Sequence, residues 1–241
     1  IFFEIHTDLP REGPGDNAST RRAFEMLTGL PPAPRILDIA CGPGMQTIHL
    51  AQISGGSITA VDTHAPFLEQ LRRSAEQAGV SQRISALKMS MFELAFDAAF
   101  DVIWCEGAIY IIGVEAGLKT WRPLLKPGGY LAFTEISWLK PNPPADLCKY
   151  WEDDYPGMQS VDGNLQRIVR AGYTPVGHFT LPPSTWWDSY YHPIEARLAS
   201  LRQKYAQDEA AQQILAATQL EMDLHRRYSD WYSYEFYILR G

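Results

Sequence analysis

The residues best suited to chemistry form an ordered set within the first 62 positions. Asp38 lies inside an apolar run, the turn Gly42-Pro43-Gly44 follows, and Asp62 ends the next apolar run, 24 residues after Asp38. Glycine permits positive φ and close approach of a ligand, and the start of a following helix can face an anionic group. An acid at the second strand end can accept both hydroxyls of a ribose. The spacing predicts a nucleoside-binding half-site, although a plain strand-to-helix turn would explain the glycines alone.

Two residues distinguish this half-site from a dinucleotide site. Such a site usually carries a third glycine three positions after the second, where this chain has Thr47. Asp38 also occupies a strand position that is usually apolar there, and its carboxylate would either orient the turn or receive an ammonium group through a water. A ligand that carries an amino acid is therefore favoured, and a nicotinamide oxidoreductase is the weaker alternative.

A second candidate group directly follows the apolar run 100–105. Glu106 would lie at the carboxyl edge of the sheet, where ligands of such sheets bind, and would deprotonate an acceptor or hold a cationic amine. The alternative is a structural role, in which Glu106 caps the next helix or pairs with a surface arginine. Tyr110, four residues on, would share its helical face and either bond the acceptor or pack. Glu135 is a further candidate, but strand alternation would point it away.

Aromatic residues are distributed unevenly along the chain. There are 7 Trp, 12 Tyr and 10 Phe, and every Trp and Tyr follows residue 103. Aromatic side chains can wall a dry pocket or surround a cation, and they can equally pack a core. We predict an acceptor pocket from one cluster of them, namely Trp138, Trp151, Tyr155, Trp186, Trp187 and Tyr190, with Tyr191 in the same segment.

The elements that must position these residues alternate between strand and helix. Apolar runs predict strands at 35–40, 57–62, 84–89, 100–105 and 130–136, and helical patterns fall at 46–53, 65–78 and 115–121. This alternation is typical of a parallel, doubly wound α/β sheet of the Rossmann-like kind.

The flanking segments differ from this alternating core. Residues 1–17 are expected to be loop-like, with a helix from Asp16 to about Leu27. Later patterns predict a helix at 163–171, strands at 173–181 and 231–239, and helical structure at 184–228 with a break at His192-Pro193. We predict one domain over 1–241, with a core at 33–136 and a helical, aromatic cap from 137–161 and 182–228.

Composition excludes several classes of protein. The chain has 241 residues, a net charge of −7 and no basic stripe, so extended nucleic-acid binding is disfavoured. No apolar stretch approaches the roughly 20 residues of a membrane helix, and the start is too short and wrongly charged for a signal peptide. Three scattered cysteines predict a reducing, cytoplasmic setting. No cluster has metal-ligand spacing, and the first residue is not Met, so we expect residues before Ile1.

The run Ile-Leu-Asp-Ile-Ala-Cys-Gly-Pro-Gly at 36–44, with Asp62, resembles the first motifs of class I S-adenosylmethionine-dependent methyltransferases. The segments 104–113 and 121–129 are similar to a small-molecule, type 11-like subgroup of that superfamily. The resemblance implies a seven-stranded sheet whose last strand, within 231–239, is antiparallel. It also implies S-adenosyl-L-methionine as cofactor and S-adenosyl-L-homocysteine as product.

The resemblance also assigns residues to parts of the cofactor. Asp38, Ala40, Cys41, Gly42 and Gly44 would line the methionine portion, where Gln46 or Arg11 would meet the carboxylate and the Cys105 carbonyl the ammonium. Asp62 would bind the ribose, with Thr63 beside it, and the adenine would lie on the loop Ser90-Met91-Phe92. Many relatives have an Asp where this chain has Ser90.

These observations lead to one expected function and one rival. The expected function is in-line methyl transfer to a small-molecule acceptor by a monomer or homodimer, with Glu106 and Tyr110 at the acceptor. The rival is a sensor or partner subunit that binds the cofactor without catalysing a reaction.

Overall fold

Eight strands form one mixed sheet in the computed structural model, which describes residues 1–241. The strands are β1 (Arg35–Ile39), β2 (Ser57–Asp62), β3 (Ile84–Lys88), β4 (Phe100–Cys105), β5 (Leu125–Trp138), β6 (Gln159–Ser160), β7 (Thr174–Thr180) and β8 (Tyr232–Arg240). Seven of them lie in the order β3-β2-β1-β4-β5-β8-β7, and β6 pairs with the end of β5.

Eleven α-helices surround the sheet. They are α1 (Phe2–Ile5), α2 (Asn17–Glu25), α3 (Met45–Ser54), α4 (Ala65–Gln77), α5 (Ile109–Ile112), α6 (Val114–Trp121), α7 (Ala145–Asp154), α8 (Val161–Arg170), α9 (Ser184–Trp186), α10 (His192–Lys204) and α11 (Glu209–Tyr228). None of them is both long and apolar enough to cross a bilayer.

The central strands are mostly apolar, with Asp38 of β1 as a buried exception, because helices cover both faces of the sheet. In β1, Leu37 and Ile39 belong to one core cluster with Leu118 of α6, whereas Ile36 belongs to another with Leu50 of α3. Alternate side chains of a strand point to opposite faces, so both sets must be apolar when both faces are covered. The doubly wound core follows the sequence prediction.

The antiparallel strand is β8, which lies between β5 and β7 and runs against both. The predicted seven-stranded, Rossmann-like arrangement with an antiparallel last strand is therefore confirmed. The additional strand β6 is only two residues long, at Gln159–Ser160. Such a short edge pairing has too few residues for an alternating pattern, which explains why the sequence does not predict it.

Helices α7 and α9 to α11 form an aromatic layer over the carboxyl end of β5. Their buried residues include Trp151, Trp186 and Tyr191, which share one core cluster with Ile136 of β5. The expected break at His192-Pro193 is wrong: the π-helical turn Trp187–Tyr191 continues directly into α10. Proline is tolerated there because the first turn of an α-helix leaves backbone N–H groups unpaired anyway. The interruption falls at residues 205–208 instead.

Residues 1–16, here called the N-terminal strap, lie between the core and the aromatic layer. The Met45 amide at the start of α3 donates to the Pro10 carbonyl at 3.3 Å, and Gly15 donates to the Thr185 carbonyl at 3.2 Å. Arg197 of α10 donates to the Ile5 carbonyl at 3.0 Å. The predicted loop is wrong for Phe2–Ile5, which form the one-turn helix α1, and the strap as a whole has contacts with both halves of the molecule.

Candidate functional site

The turn after β1 has a backbone that few side chains tolerate. Ala40, Gly42 and Gly44 have φ values of 55°, 54° and 93°. A Cβ atom on Gly44 would lie 2.3 Å from Leu71 Cδ1, so this position requires glycine for space as well as for conformation. A positive φ at Ala40 is uncommon and costs about 1 kcal/mol or more, a kind of strain that concentrates at functional sites.

Asp38 holds this turn against the start of α3. Its Oδ2 accepts hydrogen bonds from the Thr47 hydroxyl at 2.5 Å and the Gln46 amide at 3.4 Å, and its buried Oδ1 has no partner. Burial raises the pKa of Asp38 to about 8. The Gln46 amide also donates to the Cys41 carbonyl at 2.9 Å. Gln46 is thus committed to the turn, contrary to its expected contact with a ligand carboxylate.

Asp62, the last residue of β2, is hydrogen-bonded to the turn that follows β1. Its Oδ2 accepts from the Gly42 amide at 2.9 Å and its Oδ1 from the His64 amide at 2.8 Å. Each carboxylate oxygen can accept a second hydrogen bond. Asp62 is therefore fixed in place and still able to bind ribose hydroxyls, while Thr63 beside it is exposed.

The loop after β3 offers an apolar surface near this site. Met91 is buried, whereas Phe92 is 60% exposed. The Ser90 hydroxyl accepts a hydrogen bond from the Phe92 amide at 3.2 Å, so it shapes the loop. Its second lone pair and its donor proton are not used by that bond.

Glu106 has an environment unlike that of a free general base. Its Oε2 accepts from Arg11 Nη2 at 2.6 Å, and its Oε1 accepts from the Thr20 hydroxyl and the Trp104 indole N–H, each at 2.8 Å. Three donors engage this buried carboxylate, which corrects the expectation that it removes a proton from an acceptor. Its partner Arg11 also donates from Nε to the Gly13 carbonyl at 2.8 Å, and the buried Nη1 of Arg11 has no partner.

A cavity of about 330 Å³ opens beside this ion pair, between the N-terminal strap, the end of β4 and the aromatic layer. Its lining combines backbone, aromatic rings and acids, namely Phe2, Glu12, Gly13, Pro14, Gly107, Tyr110, Ile136, Trp151, Asp154, Tyr155, Trp186, Tyr190, Glu221 and Tyr234. Ile136 and Tyr234 are register partners on β5 and β8, so they present one surface to the cavity.

The cavity gathers most, but not all, of the predicted acceptor residues. Tyr110 and four residues of the predicted aromatic cluster line it, namely Trp151, Tyr155, Trp186 and Tyr190. Two others do not. Trp138 packs against Tyr232 with ring centres 6.4 Å apart, and Trp187 lies under the Arg226 guanidinium, 4.5 Å from its ring centre. Their outward placement follows from the strand end and the helix face that carry them.

The acidic lining residues were missed in the sequence. Glu12 lies over the turn, with its Cγ 3.4 Å from where a Gly42 Cβ would be, and its buried Oε1 has no partner. Burial, with a smaller effect of Asp62, raises the pKa of Glu12 to about 8. Asp154 and Glu221 come from α7 and α11. The only available signal was the position of Glu12 next to Arg11, since the helix patterns do not mark which exposed acids face a cavity.

Comparisons with known proteins agree with this geometry. A family described as "Methyltransferase domain" matches residues 36–129. A 27-O-demethylrifamycin SV methyltransferase of Amycolatopsis mediterranei is 29% identical over 223 residues, covering 86% of this chain and 77% of that protein. An S-adenosyl-L-methionine-dependent Diels-Alderase of Talaromyces variabilis is 33% identical over 138 residues, covering 53% of this chain and 46% of its own length.

A solved structure shows the same fold over nearly the whole chain. It is a methyltransferase of Geobacter sulfurreducens in complex with S-adenosyl-L-homocysteine, with a TM-score of 0.85, 21% identity, and coverage of 99% of this chain and 96% of that one. The curated relatives are matched less completely, since three of them are covered over only 28%, 44% and 46% of their length. Residues 36–129 thus match a methyltransferase domain, and the whole chain shares the fold of a methyltransferase that binds S-adenosyl-L-homocysteine.

Proposed function

We propose that this protein transfers the methyl group of S-adenosylmethionine, the cofactor of its superfamily, to a small molecule bound in the aromatic cavity. The observation that carries the proposal is a pair of buried, unpartnered polar atoms at the site: the acceptor Asp38 Oδ1 and the donor Arg11 Nη1. They are linked through Glu106, which bonds Arg11 and whose charge also raises the pKa of Asp38.

These two atoms suit the ends of an amino acid. Buried polar atoms are nearly always hydrogen-bonded, so an unpartnered acceptor and an unpartnered donor, both linked to Glu106, favour a ligand that supplies both partners. Asp38 would receive the ammonium of the methionine portion and Arg11 its carboxylate. Asp62 would hold the ribose, and the Ser90-Met91-Phe92 loop would contact the adenine.

For methyl transfer, the main task of the protein is to position the acceptor against the methyl group. The sulfonium supplies an already activated methyl group, so the chain contributes proximity, alignment and exclusion of water. The cavity fits this role because Gly107 and Gly13 place it directly beside the Arg11–Glu106 pair. Tyr110, at its edge, would hydrogen-bond or pack against the acceptor.

Titration calorimetry with S-adenosyl-L-homocysteine tests the proposal. The intact protein should bind it, and Asp62→Ala should weaken binding at least about tenfold, because two ribose hydrogen bonds are lost. Asp97→Ala, which removes an exposed acid, is the matched control. The proposal is wrong if the intact protein shows no binding.

A second candidate function is a reaction in which the cofactor is bound but keeps its methyl group. The Talaromyces variabilis relative, whose name describes it as an S-adenosyl-L-methionine-dependent Diels-Alderase, favours it. Under this alternative, the protein would bind S-adenosylmethionine but form no S-adenosylhomocysteine with any acceptor in a broad metabolite screen. A nicotinamide dinucleotide fits less well, since Thr47 replaces the third glycine and bonds Asp38.

A further inference from the structure

We propose that the acceptor in the aromatic cavity is an organic cation, an amine that is protonated in solution. This inference rests on the proposed function and names its substrate class. The inference is based on the lining of the cavity, which combines aromatic rings and carboxylates and contains no basic side chain. The relevant acids are Glu12, Asp154 and Glu221.

No basic side chain balances the acids that line the cavity, although Glu12 is largely protonated near pH 7 because burial raises its pKa to about 8. No Lys, Arg or His is among the residues that line it. Arg11, next to the lining residue Glu12, is bonded to Glu106, and Arg167 lowers the pKa of Glu135. His6 lies 3.5 Å from Glu12, but burial lowers its pKa to about 4, so it is neutral near pH 7.

Glu221 is the acid best placed to contact a bound group. It is half-buried, and its Oε1 accepts a hydrogen bond from the Tyr191 hydroxyl at 2.7 Å, while its Oε2 has no hydrogen bond from the protein. Burial raises its pKa, and neighbouring Asp154 adds to that effect. A ligand cation would lower the pKa of Glu221 again, because an opposite charge nearby stabilises the ionised carboxylate.

The aromatic wall provides the second, independent observation. Tyr110 and Tyr155 lie edge to face with ring centres 6.0 Å apart, and Trp151 and Tyr190 complete the wall. Trp151 is 6% exposed, and its buried indole N–H has no partner. Ring faces attract ammonium groups, and electron-rich rings beside carboxylates do so in a water-poor site. The carboxylates of this wall would repel an anionic acceptor.

The same groups account for the chemical step. The acceptor ammonium first gives its proton to the Glu221 carboxylate, which leaves a neutral amine with a lone pair. That lone pair forms a bond to the sulfonium methyl carbon while the carbon–sulfur bond breaks. The sulfur keeps the bonding electrons and becomes a neutral thioether, and the nitrogen becomes the methylated ammonium.

Calorimetry with three related probes tests this inference. Benzyltrimethylammonium, neutral benzyl alcohol and anionic phenylacetate are titrated into the protein, both alone and loaded with S-adenosylhomocysteine. We expect the cation to bind at least about tenfold more tightly than the other two. Equal affinity for the cation and the alcohol would overturn the inference, whether or not the cofactor product binds. Absence of S-adenosylhomocysteine binding would instead count against the proposed function.

Matched variants locate the binding. Glu221→Gln should lower the affinity for the cation about tenfold. Asp223→Asn changes an exposed acid two residues away on α11 and should leave that affinity unchanged. Tyr110→Ala should weaken it several-fold, and Ile111→Ala, equally exposed but outside the cavity, should not. The inference fails if the cation binds equally well to Glu221→Gln and to the unchanged protein. S-adenosylhomocysteine affinity should be the same in all four variants, which shows that they are folded.

Discussion

Arg11 and Glu106 form a 2.6 Å ion pair between side chains that are 4% and 1% exposed, although 95 positions separate them in the chain. The pair ties the N-terminal strap to the end of β4, where the cavity begins. A buried pair of this kind adds little net stability but is costly to break from one side, because the remaining charge is left without a partner. Its main effect is to hold one guanidinium nitrogen at the site.

Arg11→Met should therefore affect both folding and cofactor binding. We expect a loss of about 3 kcal/mol in the free energy of unfolding, because Glu106 stays buried and charged. S-adenosylhomocysteine should bind at least about tenfold more weakly, since the carboxylate loses its partner. Urea unfolding and calorimetry measure the two effects. Arg21→Met, at an exposed position of α2, is the control, and an unchanged affinity in Arg11→Met would contradict the assignment.

Glu106→Gln separates a positioning role from that of a general base. An amide still accepts the bonds from Thr20 and Trp104, but its N–H₂ group cannot accept from Arg11. We expect S-adenosylhomocysteine affinity to fall about as far as in Arg11→Met. A general base would leave that affinity intact and lower only the rate of the chemical step. Calorimetry distinguishes these results without knowledge of the acceptor.

Gly44→Ala should destabilise the protein by about 2–4 kcal/mol, since the new Cβ meets Leu71 and the residue keeps a φ of 93°. Gly79→Ala isolates the conformational part of this cost. Gly79 has a φ of 69°, and no atom lies within 4 Å of its would-be Cβ. Its variant should lose only about 1 kcal/mol. Urea unfolding of both variants checks the difference, and equal losses would show that the contact with Leu71 is relieved by movement.

Glu135→Gln should change how stability depends on pH. Burial raises the pKa of Glu135 from 4.5 to about 7, although neighbouring Tyr155 and Arg167 oppose the shift. The folded state thus holds more protons than the unfolded state between pH 4.5 and 7, so stability falls as the pH rises through that window. Above it, the ionised group costs on the order of 3 kcal/mol.

The amide does not ionise and avoids this loss. Relative to the unchanged protein, Glu135→Gln should therefore gain stability from pH 5 to pH 8, as measured by urea unfolding at both values. Glu152→Gln, at an exposed position of α7, should show no such trend. A stability difference that is the same at both pH values would contradict the expectation.

Local pattern was sufficient for the sheet and for the turn at Gly42 and Gly44. Strands that are buried on both faces consist mainly of apolar residues, which makes them recognisable in the sequence. A turn that needs positive φ values is recognisable from its glycine residues. The antiparallel direction of β8 is predicted only from the resemblance to a family. The sequence of residues 232–240 does not indicate the direction of the neighbouring strands.

The environment of each acid could not be predicted in this way. Glu106 has a position that suits catalysis, but its partners Arg11 and Thr20 come from distant segments. The sequence of the strap predicts a loop because it has no helical or strand periodicity. Its conformation is fixed by tertiary contacts instead. The position of Glu221 could not be predicted either, since the cavity it lines is formed by residues from distant parts of the chain.

The place of β8 in the sheet has a consequence for synthesis on the ribosome. Strand β7 joins the sheet solely through β8, and β5 also pairs with β8 along residues 130–138. Residues 232–240 are made after every strand they pair with, so β7 has no neighbour until they emerge. The nascent chain can complete β1 to β5, yet its final sheet order, and the cavity wall formed by Ile136 and Tyr234, arise only afterwards. Folding of this site therefore waits until residues 232–240 have left the ribosome.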